Sequence, residues 1–81
     1  MDTRETLLTI INTILAKKGR EQLVKLDENI SLRTHLDFDS LDLAELTVKL
    51  EDATGIDIFA DGIVDTIGQI IAKLDEGKGN G

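Results

Sequence analysis

The chain has no cysteine. That excludes disulfides, thiolate metal sites and a cysteine nucleophile. It has one histidine, His35, which excludes a His-rich metal site and any relay through two imidazoles. A Ser-His-Asp arrangement remains arithmetically open. Phe38 and Phe59 are the only aromatic residues, so a core has to be aliphatic. Basic residues are few. Nine Lys and Arg stand against sixteen Asp and Glu, a net charge of −7. Such a surface repels nucleic acid and anionic membranes, and its natural complement is a basic protein surface. No apolar run approaches a membrane span, and the first residues carry no apolar signal region. Cytoplasm is the expected compartment.

The length of 81 residues, with 41% hydrophobic residues, fits one small domain. From Thr3 to Ala16 the pattern is helical. At about 100° per residue, Leu7, Leu8, Ile10, Ile11, Ile14 and Leu15 share one arc. Asp2 or Thr3 can cap the start, and Gly19 offers a stop. Gly19 to Phe38 reads as a long connection. Leu23, Val24 and Leu26 suggest a short helical turn, and Asp27-Glu28-Asn29 suggests a turn. Ile30, Leu32, Leu36 and Phe38 read as anchors pinning an ordered loop to the core. A second helix is expected from Ser40 to Thr54, stopped by Gly55. A short helix is expected around Phe59 to Ile63. A last one, capped by Asp65 or Thr66, carries the stripe Ile67, Ile70, Ile71 and Leu74. Together these describe a small all-α bundle. Residues 1–75 form the domain. Residues 76–81, glycine-rich and without a large apolar side chain, read as a disordered tail.

The second helix is the informative one. Leu43, Leu46, Thr47 and Leu50 form its core stripe. A second stripe of Leu41, Ala44, Glu45, Val48 and Asp52 lies almost opposite. Scattered surface Leu and Val are ordinary. An apolar centre with a charged rim also suits a transient docking surface. At the start of this helix Asp39 is a good N-cap, and Asp42 stands where a capping box places its reciprocal partner. Ser40 then falls at the first helical position, displayed at the positive end of the helix dipole, a favourable place for a phosphate.

Other chemistries fit poorly. A calcium loop starting at Asp37 meets Leu41, Asp42 and Val48 where an acidic residue, Gly and Glu are needed, and one starting at Asp57 fails at Phe59. No glycine-rich phosphate loop is present. A hydrolase built on Ser40 and His35 lacks a nucleophile elbow and room for a pocket. His35 reads as a hydrogen-bonded or solvated loop residue.

The run Leu36-Asp37-Phe38-Asp39-Ser40-Leu41-Asp42-Leu43-Ala44-Glu45-Leu46 resembles the phosphopantetheine-attachment motif of acyl carrier proteins. In words, the motif is Leu-Gly-x-Asp-Ser-Leu with Glu-Leu five residues after the serine. The likeness extends over nearly the whole chain in length, acidity and order of elements. It implies a four-helix bundle with a short third helix and a long ordered loop after the first. It implies a monomeric carrier, not an enzyme. Ser40 would hold 4′-phosphopantetheine, transferred from coenzyme A by a phosphopantetheinyl transferase, and the arm's thiol would carry acyl groups as thioesters. A chain without cysteine would thus import its thiol. Leu41, Ala44, Glu45, Val48 and Asp52 match positions read in the family by transferases, synthases and ligases with basic patches, and Asp39 and Asp42 add charge to this partner face at the helix start. Three features depart from the family pattern. Asp37 replaces its glycine, Lys49 interrupts the acidity of the second helix, and the region after Gly55 is rich in glycine and isoleucine. A fatty-acid carrier and a specialised carrier for polyketide, lipid-modification or amino-acyl chemistry both stay open. The alternative from another class is an unmodified acidic helical adaptor for basic partners.

Overall fold

A computed structural model describes residues 2–60 and 62–79. Three α-helices run in order, α1 (Thr3–Lys17), α2 (Ser40–Thr54) and α3 (Ile67–Gly79). There is no strand among the described residues, only one isolated bridge between Ser31 and Thr66.

The start of α1 is capped by Asp2, whose carboxylate accepts the Arg4 amide at 3.0 Å. Its stop is a left-handed Gly19, φ 73°, followed by the Arg20 amide donating to the Leu15 carbonyl at 2.9 Å. That six-to-one bond is the Schellman closure, for which glycine has no steric penalty. Leu7, Ile10, Ile11, Ile14 and Leu15 are buried, as the helical arc requires, while Leu8 is half-buried. The face of α2 made by Leu43, Leu46 and Leu50 closes on them, and Ile67, Ile70, Ile71 and Leu74 of α3 complete an aliphatic core. Lys17 and Lys18 reach the first half of α2, while Glu5 and Thr9 share a groove with Lys49 and Ala53 of its second half. The first two helices are therefore antiparallel.

The long connection is ordered by its own polar groups. Leu32, Leu36 and Phe38 are buried and Ile30 is half-buried, as anchors should be. Asp27 turns the chain by accepting the Asn29 amide on its side chain at 2.9 Å and the Ile30 amide on its carbonyl at 3.1 Å. The loop is then fastened to the start of α3. The Leu32 amide donates to the Asp65 carbonyl at 2.8 Å, the Ile67 amide to the Ile30 carbonyl at 3.0 Å, and the Ser31 hydroxyl to the Asp65 carboxylate at 2.8 Å.

Three expectations are revised. Leu23 to Leu26 form no helical turn. The segment bends at Val24, which is 95% exposed, because the Asn12 amide captures both the N–H and the carbonyl of Leu23 at 2.7 and 3.0 Å. Nor do the described residues show a short helix around Phe59 to Ile63. Residues 58–60 make a turn led by the Asp57 carboxylate, and Gly62 at φ 136° breaks any continuation. Asp61 lies outside the described residues. Finally, α3 continues past Leu74 to Gly79, so most of the expected tail is helical. Propagating a formed helix costs little per residue, and Gly77 leaves room for Ile56 to lie against it. Asn80 and Gly81, also assigned to that tail, lie outside the described residues.

Candidate functional site

The start of α2 is fixed from both sides. Phe38, 3% exposed, is buried two residues before Ser40, and Leu43, 7% exposed, is buried three after it. Between them the capping box is complete. The Asp39 carboxylate accepts the Asp42 amide at 2.9 Å, and the Asp42 carboxylate accepts the Asp39 amide at 3.1 Å. Ahead of the box Asp37 is left-handed, φ 58°. This is a backbone that glycine adopts freely and that Asp tolerates better than most residues. The substitution at the motif's glycine therefore leaves a glycine-like turn in place. Arg20 lies 3.8 Å from the Asp37 carboxylate across this turn.

Ser40 is exposed at the first position of α2, and its hydroxyl has no hydrogen-bond partner among the described residues. It stands on the rim of a groove of about 260 Å³ lined by Arg33, Ser40, Leu43, Ala44, Thr47, Phe59 and Ile63. Ile63 is 79% exposed. His35 belongs to other business. Its Nδ1 accepts the Ser31 amide at 2.7 Å, which makes it a piece of the loop. Among the described residues no cluster of His, Cys, Asp and Glu could hold a metal ion.

The structure sorts the expected partner-binding residues into two groups. Leu41 (76% exposed), Ala44 and Val48 (67% exposed) present an apolar strip, with Glu45 and Lys49 beside it in one shallow groove. The acidic members are less available than their spacing suggests. Asp42 bonds Lys18 Nζ at 2.6 Å and Glu45 bonds Lys17 Nζ at 2.8 Å. Burial disfavours the charged Asp42, but hydrogen bonds from Lys18 and the Asp39 amide outweigh it and hold the carboxyl below its usual value. The same hydrogen bond, opposed by partial burial, raises Lys18 above the ordinary lysine value. Asp39 and Asp52 stay exposed, Asp52 at the far end beside the first turns of α1.

A free serine hydroxyl on a helix N-terminus, beside an apolar groove, is the setting in which a phosphate-linked arm can be mounted and partly sheltered. A family model described as "Phosphopantetheine attachment site" matches residues 5–74. The chain belongs to this family. It is a carrier domain, not an enzyme, and its prosthetic group is 4′-phosphopantetheine. No individual curated protein and no solved structure matches the chain. Membership brings interaction with a phosphopantetheinyl transferase and with acyl-processing enzymes. None of the described helices is long and apolar enough to cross a membrane.

The residues of this carrier domain fit the group. Ser40 offers the one uncommitted hydroxyl at the start of α2, and the groove beside it combines apolar walls with a cationic side chain. Sequence reasoning missed the part of that groove that lies outside α2. Leu43 and Thr47 were visible as one helix stripe. Arg33, Phe59 and Ile63 come from two connections, and no periodicity relates them to Ser40.

Proposed function

We propose that Ser40 is the attachment point of the arm, and that the carrier domain presents acyl intermediates as thioesters to fatty-acid, polyketide or related acyl-transfer enzymes. The observation that carries this reading is the free, exposed Ser40 hydroxyl at the first position of α2. Transfer joins Ser40 Oγ to a coenzyme A phosphorus, breaks the pyrophosphate bond and releases adenosine 3′,5′-bisphosphate. The hydroxyl proton leaves to a base of the transferase. The bound group supplies the thiol that the chain lacks. The chain's own residues orient it. The capping box fixes the helix start, the free amides of the first turn favour the phosphate charge, and the groove shelters apolar length.

Leu41, Ala44 and Val48 form the apolar centre of the partner face. Asp39 and Asp52 are its outward charges, with Asp42 and Glu45 contributing through their lysine pairs. The test is incubation with coenzyme A and a broad-specificity phosphopantetheinyl transferase, followed by intact-mass measurement. One phosphopantetheine is expected on the wild type and none on Ser40→Ala. Equal addition to both, or none to either, overturns the assignment.

A further inference from the structure

Among the described residues, every charged side chain around the start of α2 except one already has a use. Asp42 is bonded to Lys18, Glu45 to Lys17, Arg20 approaches Asp37, and Asp39 caps the helix. The exception is Arg33. It is exposed and lines the groove with Ser40, yet forms no ion pair or side-chain hydrogen bond among the described residues. Its position is fixed by the fold, because Leu32 just before it is fully buried and tied to Asp65. The surroundings make a counter-ion valuable. A phosphodiester on Ser40 adds a negative charge beside Asp37, Asp39 and Asp42 in a molecule already at −7.

We propose that Arg33 is the counter-ion of the Ser40-linked phosphodiester, holding the root of the arm against the groove that leads past Thr47 to Phe59 and Ile63. This rests on the reading of Ser40 as the attachment point. A planar guanidinium matches two phosphate oxygens at once, which an ammonium cannot do. Apolar walls on one side reduce the competition from water. Arg33 is a positioning residue. It touches the phosphate and leaves the thiol and its cargo free.

The test compares apo and loaded protein for the wild type, Arg33→Gln, Arg33→Glu and a control, Lys25→Gln. Lys25 lines a separate groove near the start of α1, so it makes the same charge change away from Ser40. Loading is first checked by intact mass. The Arg33 guanidinium NMR signal of the wild type should then shift on loading and return towards its apo position in about 1 M salt. In low salt, Arg33→Glu should lose about 2–4 °C more in Tm on loading than the wild type does. Arg33→Gln should fall between, and Lys25→Gln should behave as wild type. A loaded wild type whose Arg33 signal does not move, or Tm changes on loading that are the same in all four proteins, overturns the counter-ion. Lys25→Gln matching Arg33→Gln does so too, because the effect is then one of net charge. Failure of the wild type to load removes the Ser40 reading itself, and the counter-ion with it.

Discussion

Asp37 shows how one residue can break a motif and keep its geometry. Its φ of 58° is the left-handed region, which costs an ordinary L-residue roughly 1–2 kcal/mol and a glycine almost nothing. Asp37→Gly removes that strain. It also gives back roughly 0.5–1 kcal/mol through the freer unfolded chain and loses the exposed, 3.8 Å approach of Arg20. The balance should leave Asp37→Gly within about 1 kcal/mol of wild type. Asp37→Val has no such relief. Its branched Cβ fits the left-handed region worst, and it should lose about 2 kcal/mol in urea unfolding. The order of the two variants is the check, since an ordinary backbone at residue 37 would make glycine the worse replacement. Ser40 is a different kind of residue. The role proposed for it depends on a hydroxyl with no partner among the described residues, which no inspection of the sequence could establish.

Between elements, the Lys18–Asp42 bond is the clearest link from α1 to α2, at 2.6 Å with side-chain exposures of 22% and 13%. Asp42 also closes the capping box, so one carboxylate serves both helix start and helix pairing. Its folded pKa lies below the ordinary aspartate value of 3.8, and that of Lys18 lies above the ordinary lysine value of 10.5. The stability gap between wild type and Lys18→Met should therefore be full between those values. It should shrink as pH falls below 3.8 and Asp42 gains a proton. It should shrink again as pH rises above 10.5 and Lys18 loses one. Thermal melts across pH measure it, and a gap that is flat at both extremes would remove the bond from the account. The helices themselves were legible. The span expected for α2, Ser40–Thr54, is the one observed, because a cap, a 3.6-residue period and a C-terminal glycine all agree there. The Thr66-x-x-Gln69 box was legible too but passed over. Gln69 accepts the Thr66 amide at 3.0 Å and returns its own amide to the Thr66 hydroxyl at 3.2 Å. Illegible were the pairs that cross the long connection, such as Asn12 with Leu23 and Ser31 with Asp65. They follow from the path of the loop, and local patterns do not encode that path.

Across the whole molecule, charge is distributed differently from its sum. The net charge of −7 suggests a strongly acidic docking face. Yet the antiparallel packing of α1 on α2 brings Lys17 and Lys18 onto Glu45 and Asp42 in the first half of α2. What faces outwards there is an apolar strip of Leu41, Ala44 and Val48 with a thinner acidic rim. A partner that relied only on opposite charge would find less to hold here than the composition implies. Encounter with a basic transferase should still be steered by long-range charge, while the docked state depends more on apolar contact. Lys17→Gln separates the two. Lys17 is 60% exposed and its pair with Glu45 is a surface one, so the change should move Tm by no more than about 4 °C. It frees Glu45 and makes the molecule one unit more negative. Loading by a basic transferase should then be faster than wild type at low salt and fall more steeply as salt rises. The two rates should converge near 1 M, where the screening length is about 3 Å. Equal slopes for the two proteins would mean that Glu45 is read through its lysine pair, and that the packing of α1 on α2 does not tune the charge of the proposed docking face.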